Sequence, residues 1–150
     1  MLQSHLQPMP RQSGGGGLVT SLADMVALMC SLMPRLVPDV QPGQPSVLKP
    51  ATIALMMANH LPAGTHIRFA TTGEIHHRGF GLGGCVTLQP TAADPPASTD
   101  EFQWGGLAGT HWWINPRLQL AGVTMTQRHM GFWHPFAFDF KQRVYAAAGF

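Results

Sequence analysis

Two short stretches of this sequence have residue types and spacings that could support acyl transfer. Ser46-Val47-Leu48-Lys49 has the spacing Ser-x-x-Lys, in which a lysine one helical turn after a serine helps to deprotonate it. Trp104-Gly105-Gly106-Leu107 places an aromatic ring and two small residues before a turn. The glycines allow a substrate to approach the backbone closely. The second stretch therefore predicts one wall of an enzyme cleft.

The serine–lysine pair lacks the local structure that its chemistry needs. Pro50 follows Lys49 directly, and proline disfavours helical backbone in the residue before it. We therefore expect Lys49 to be the last extended residue before a helix, and we expect Ser46 not to be catalytic. The only tyrosine, Tyr145, is predicted to pack within a C-terminal helix rather than to share proton transfer.

The eight histidines indicate no metal site. His76 and His77 lie near Glu74 in a polar segment, while His129 and His134 flank an apolar one. No pair has the i, i+4 helical spacing with a nearby carboxylate that zinc hydrolases use. No Gly-x-Ser-x-Gly elbow supports a Ser-His-Asp triad either. We expect neither a metal nor another cofactor.

Composition narrows the class of protein and its partners. The chain has 150 residues, 45% of them hydrophobic, which suffices for one domain with a core. Only 11% are charged, so we expect part of the surface to be covered in the native state. The net charge of +2 is dispersed, which argues against a nucleic-acid partner. The apolar runs 25–30 and 53–58 are too short to span a membrane, and Cys30 and Cys85 are predicted to be buried thiols.

The N-terminal half is predicted to be helical. Residues 1–12 are polar and are expected to be loose, and they have no signal-peptide pattern. The sequence does not determine the cellular compartment, although the cytoplasm is favoured. Ser21 and Asp24 form a capping pattern for a first helix, which Pro34 would stop. Pro50 opens a second helix whose apolar face includes Ile53.

The C-terminal half is predicted to be a sheet followed by one helix. We expect strands near 66–70, 80–88, 102–107, 110–115 and 119–127, with a surface loop at 89–101 and a hairpin turn at 115–118. A helix from about Pro135 would bury Phe136, Phe140, Val144 and Ala148. The fold class is therefore α+β: an antiparallel sheet with flanking helices and a C-terminal helix packed on it. Its other face would be covered by the first two helices or by another polypeptide segment.

Several motifs in this order resemble the β-lactamase-related serine hydrolases, which include class C β-lactamases, penicillin-binding proteins and family VIII carboxylesterases. The resemblance spans about residues 9–148 and rests on the following segments: Ser13-Gly14-Gly15-Gly16-Gly17 with the helix after it, Asn59-His60-Leu61-Pro62, Gly79-Phe80-Gly81-Leu82-Gly83, Trp104-Gly105-Gly106, and Met125-Thr126-Gln127. It implies that residues 13–150 are the C-terminal part of a β-lactamase/transpeptidase-like domain. The catalytic Ser-x-x-Lys and Tyr-x-Asn motifs come earlier in the chain order of that family.

The resemblance also implies roles for individual residues. Trp104-Gly105-Gly106 occupies the place of the family's Lys-Thr-Gly motif and would bind substrate, and the Leu107 backbone N–H would donate to the oxyanion. Trp104 in place of lysine removes a cation that would pair with a β-lactam carboxylate, which favours neutral, apolar esters. The alternative is that Trp104 only packs at the edge of the sheet.

Three functional hypotheses follow from the sequence. The chain is the C-terminal part of an esterase-like serine hydrolase that acts on a small acyl ester or amide and is inactive alone, because its nucleophile and base are absent. Alternatively, it is a non-catalytic half-domain that associates with a separately encoded N-terminal segment. In the third hypothesis it is a truncated gene product without activity.

Overall fold

A computed structural model describes residues 15–16, 18–33, 47–70 and 73–150 of the protein. The predictions for residues 1–12 and for the helix stop at Pro34 lie outside these residues. The first helix, α1, spans Leu22–Leu32. Its predicted cap is confirmed, since the Ser21 hydroxyl accepts from the Asp24 backbone N–H at 3.1 Å. The second helix, α2, spans Pro50–Met57 and begins at the predicted proline.

Within the described ranges, seven strands form two antiparallel sheets. The strands are β1 (Ile67–Phe69), β2 (Gly73–Ile75), β3 (Arg78–Phe80), β4 (Cys85–Thr87), β5 (Phe102–Gly105), β6 (Thr110–Asn115) and β7 (Leu120–Met125). The first two pair as a small hairpin, and the other five pair in chain order from β3 to β7. A 3-10 helix at Gly131–Trp133 leads into α3, which spans Pro135–Ala147.

The predicted strand at 80–88 is wrong, because the chain reverses within it. Two short strands, β3 and β4, replace it, with Phe80 opposite Cys85. The Gly81 N–H donates to the Gly84 carbonyl at 2.8 Å, and Gly83 has a φ of +95°. Glycine adopts that left-handed backbone without strain, so these residues close a tight turn. The predicted turn at 115–118 is confirmed: the Asn115 side chain accepts from the Leu118 N–H at 3.1 Å.

Helices cover both faces of the five-stranded sheet. On one face, Met29 and Leu32 of α1 and Ile53 of α2 pack against Ile114 of β6. On the other face, Phe140 of α3 contacts Trp113, with ring centroids 6.0 Å apart. The sequence left open whether the first two helices or another polypeptide segment would cover the sheet face opposite α3. In the structure, α1 and α2 cover it.

The buried face of α3 differs from the predicted one. Ala137, Lys141 and Tyr145 are buried, whereas Phe136 is 52% exposed. Polar groups on the sheet cause this rotation, because the buried carboxylate of Glu101 binds both Lys141 and Tyr145. An apolar stripe of phenylalanines would leave that carboxylate unpaired, which costs more than exposing one aromatic ring.

The segment 89–101 is a loop, as predicted, but it is not confined to the surface. Asp94, Ser98 and Glu101 are buried in it, and Asp94 forms an ion pair with Arg78. Cys30 and Cys85 are free thiols and both are half-buried. Among the described residues, no helix is long and apolar enough to cross a membrane.

Candidate functional site

The predicted cleft wall is a strand that ends in a tight turn. Gly106 follows β5 and donates its N–H to the Thr110 carbonyl at 2.8 Å, while Gly109 donates to the Gly106 carbonyl at 2.9 Å. Between them, the N–H groups of Leu107 and Ala108 have no hydrogen-bond acceptor in the described part of the chain. The Leu107 side chain is 62% exposed. The turn therefore leaves two backbone donors without an acceptor among the described residues, and the resemblance assigns the oxyanion role to the first of them, Leu107.

A second segment holds this turn in place. The Met130 N–H donates to the Leu107 carbonyl at 2.8 Å. The backbone N–H and the hydroxyl of Thr126 both donate to the Gly109 carbonyl, at 3.2 and 2.7 Å. Gly109 has a φ of +96°, and a Cβ there would lie 2.3 Å from the Arg128 carbonyl oxygen. Only glycine fits this position, so the geometry of the donor depends on it.

Trp104 lies in β5, three residues before the donor. Its ring is half-buried and meets the Phe80 ring edge-on at 5.3 Å and the Phe69 ring at 6.4 Å. These contacts give Trp104 a packing role, and the residue as a whole keeps part of its surface accessible. Its predicted substrate-binding role, like those of Gly105 and Gly106, stays a prediction.

Of the residues considered for the roles of nucleophile and base, the structure describes Lys49 and Tyr145, whereas Ser46 lies outside the described residues. Lys49 is the residue before α2, with an extended backbone at φ −67° and ψ 148°, as Pro50 predicted. Tyr145 is 1% exposed, and its hydroxyl donates to Glu101 Oε2 at 2.6 Å. Burial raises the pKa of Tyr145, so this hydroxyl keeps its proton and serves packing.

The histidines are spread over several parts of the fold. His60 contacts the Leu55 carbonyl at 2.7 Å, and the ring centroids of His66 and His76 are 4.0 Å apart. His76 also lies 3.6 Å from the Glu74 carboxylate. Within the described ranges, no three His, Cys, Asp or Glu side chains are grouped so as to hold a metal ion.

A buried polar network under α3 was missed by the sequence reasoning. Lys141 binds Glu101 and also donates to Gln103 Oε1 at 3.3 Å, and His111 Nε2 lies 2.9 Å from the same oxygen. Asn115 Nδ2 donates to the Tyr145 hydroxyl at 3.2 Å. A lysine and a tyrosine four residues apart on the inner face of α3 are the local signal that could have indicated it.

Burial dominates the titration of this network. It raises the pKa of Glu101, although Lys141 and the Tyr145 hydrogen bond act in the opposite direction. Burial, with Lys141 next in effect, lowers the pKa of His111 to about 3, so this imidazole is neutral. Burial also opposes ionisation of Asp94, but Arg78 and Thr91 hold its pKa below the usual range. The network lies between the sheet and α3, so its geometry supports a structural role.

Comparison with known proteins decides the family. Residues 2–136 match the family model described as β-lactamase. The chain belongs to the β-lactamase family. An acyltransferase, calJ, from Penicillium decumbens is 32% identical over 131 residues, which are 78% of this chain and 29% of that protein. This family membership confirms the resemblance stated from the motifs.

Solved structures confirm the fold. A β-lactamase from Mycobacterium bovis superposes with a TM-score of 0.69 at 21% identity, over 87% of this chain and 45% of the other. Simvastatin synthase from Aspergillus terreus gives a TM-score of 0.61 at 18% identity, over 83% and 33%. EstCE1, described as a hydrolase with promiscuous acyltransferase activity, gives 0.56 at 27% identity, over 79% and 27%. The chain thus spans less than half of each of these family proteins.

Proposed function

We propose that this chain is the C-terminal part of an acyl-serine enzyme of the β-lactamase family, of the esterase or acyltransferase type. The free Leu107 N–H on its braced turn is the observation that carries the proposal. One relative, calJ, is described as an acyltransferase, and another, EstCE1, as a hydrolase with promiscuous acyltransferase activity. Both descriptions support this type of chemistry. The chain covers 27–45% of the three solved structures described above, which is consistent with a partial domain.

Leu107 would act on the charge that develops during acyl transfer. When a serine oxygen attacks an ester carbonyl, the carbonyl oxygen becomes an anion in the tetrahedral intermediate. A fixed backbone donor stabilises that oxyanion by about 3 kcal/mol. Because the donor is the backbone, the position tolerates an exposed leucine side chain.

Trp104, Gly105 and Gly106 would form the substrate-binding strand beside this donor. Trp104 carries no positive charge, so the strand lacks the partner that a β-lactam carboxylate would need. The half-buried indole instead offers an apolar surface. Small neutral esters are therefore the proposed substrates of the complete enzyme, with amides as the second class.

The nucleophile of the complete enzyme is proposed to lie outside this chain. The extended backbone of Lys49 supports this, because a catalytic lysine must lie in the first helical turn after its serine. We expect no burst of p-nitrophenol when the chain is mixed with p-nitrophenyl butyrate. A burst that is abolished by Ser46→Ala would refute the proposal. An in-frame Ser-x-x-Lys followed by Tyr-x-Asn in the coding sequence upstream of Met1 would support it.

A second candidate function is that of a non-catalytic half-domain bound to a separately encoded N-terminal portion. The exposed apolar side chains on and before α1 favour it, because Leu18 is 98%, Leu22 53% and Val26 41% exposed. Light scattering after size exclusion tests this candidate, and a monomer that captures no partner argues against it. In the third hypothesis, a truncated product without activity, the isolated chain would not unfold cooperatively; a sharp transition with a high midpoint would refute it.

A further inference from the structure

Three aromatic rings, from β1, β5 and the 3-10 helix, contact one another through Phe69. Phe69 of β1 lies 6.4 Å from Trp104 of β5, with the ring planes tilted by 38°. The same Phe69 ring lies 6.4 Å from Trp133 of the 3-10 helix, edge-on at 83°. Phe69 therefore bridges two tryptophans that are 29 residues apart in sequence. We call these three residues the aromatic wall.

Backbone contacts attach this wall to the candidate oxyanion donor. Trp104 precedes Leu107 by three residues on the same strand and turn. On the other side, the Met130 N–H donates to the Leu107 carbonyl, and the Trp133 N–H donates to the Met130 carbonyl at 3.0 Å. Gly131 packs so closely on the turn that a Cβ there would lie 3.2 Å from Gly109 Cα. Trp104 and Trp133 are thus fixed to the segments that hold the donor.

The residues of the wall retain accessible surface. Trp133 is 40% exposed, and Phe69 and Trp104 are half-buried. Aromatic rings offer large apolar contact areas, and ring pairs add a directional preference for edge-on or offset contacts. An ionised acyl group placed against such rings would lose hydration, and the rings offer it no ion-pair partner.

We infer that the aromatic wall selects the acyl chain of the substrate, and this inference rests on the function proposed above. An apolar or aryl acyl ester would place its carbonyl oxygen on the Leu107 N–H and its apolar groups against Phe69 and Trp133. Phe69 and Trp133 are then specificity-determining residues, although the chain patterns singled out neither of them. They contact the substrate but take no part in bond making or proton transfer.

An NMR titration of the 150-residue chain tests this inference with a ligand that cannot be hydrolysed. The probe is 1-phenylpentan-2-one, the ketone isostere of phenyl butyrate, and the readout is the ¹⁵N–¹H cross-peak of Leu107. We expect that cross-peak to shift on titration. Loss of one ring contact changes affinity by about two- to tenfold. Phe69→Leu and Trp133→Leu should therefore each weaken binding by a factor in that range.

Two controls make the result specific. Phe136→Leu removes an aromatic ring that is 52% exposed and lies three residues from Trp133, and it should leave the affinity unchanged. The charged ketone 5-oxo-6-phenylhexanoate keeps the carbonyl and the phenyl ring, and it should bind about tenfold more weakly than the neutral probe because its carboxylate must be desolvated. Unchanged cross-peaks far from the wall would show that each variant is folded.

The possible outcomes separate this inference from the proposed function. If the Leu107 cross-peak shifts but the titration midpoint is the same in Phe69→Leu and Trp133→Leu, the proposed role of the aromatic wall is refuted. The proposed role of Leu107 as oxyanion donor is then retained. Equal affinity for the charged and neutral ketones would also overturn it. Absence of any Leu107 shift up to the solubility of the neutral ketone would overturn the donor role itself, and the wall's role with it.

Discussion

Replacement of Lys141 by methionine should destabilise the protein strongly at neutral pH. The Lys141 and Glu101 side chains are 3% and 0% exposed and form an ion pair. Methionine keeps most of the side-chain volume but leaves the Glu101 carboxylate buried without its cation. Breaking a buried pair in this way typically costs about 3–5 kcal/mol. That is a large fraction of the stability of a small domain, which is about 5–15 kcal/mol.

The cost should depend on pH in a defined direction. Burial already raises the pKa of Glu101 above its ordinary value of 4.5, and removing Lys141 takes away the main influence that lowers it. The folded variant therefore binds the Glu101 proton more tightly than the unfolded chain does. Its stability should fall as the pH rises above 4.5, and it should recover relative to the parent as the pH falls toward that value.

Urea unfolding of the parent and the variant at several pH values between 5 and 8 measures this effect. The double variant Glu101→Gln, Lys141→Met removes both charges and keeps an acceptor for the Tyr145 hydroxyl, so it should recover at least half of the loss at pH 8. Arg143→Met is the control, because the Arg143–Asp139 pair on the same helix is exposed and should change the midpoint little. A loss below about 1 kcal/mol for Lys141→Met, or one equal at pH 5 and pH 8, would refute the reasoning.

Three further predictions concern packing, the turn and a thiol. Gly122→Ala should lower the free energy of unfolding by about 1–3 kcal/mol, as measured by thermal or urea unfolding, because its Cβ would lie 2.2 Å from Trp113 Cζ2. Gly109→Ala should shift the midpoint more than Gly64→Ala, because both have positive φ but only Gly109 has backbone atoms in the way; equal shifts would contradict this. Burial raises the pKa of Cys85 to about 11. We therefore expect the Cys85 thiol to react with a disulfide reagent at pH 8 only after unfolding. Rapid labelling of Cys85 in the native protein would contradict this prediction.

Local signals predicted the elements whose ends are fixed by one or two neighbouring residues. Ser21 caps α1 through Asp24, and Pro50 begins α2, as their types predict. The hairpin between β6 and β7 follows from the Asn115 side chain. Each of these interactions spans three residues or fewer, so the information lies within a short window of sequence.

The errors arose where distant residues decide the structure. The inner face of α3 depends on Glu101, which lies 40 residues before Lys141, and helical periodicity alone favoured the phenylalanines. The predicted strand at 80–88 contains a turn. Its glycines are compatible with a strand or with a chain reversal, and the positive φ of Gly83 belongs to the reversal. For the candidate site, the resemblance located Leu107, but Phe69 and Trp133 reach it only through the tertiary fold.

The neighbour-to-neighbour pairing of β3 to β7 has a consequence for how the protein folds. Each strand of this sheet needs only the next strand in the chain, so few long loops must close before pairing begins. The polar contacts of α3 with Glu101 span 40 and 44 residues and can form only after the sheet has brought its inner face together. We therefore expect the strands to assemble early and α3 to dock late. Loss of Lys141 would then accelerate unfolding far more than it slows folding.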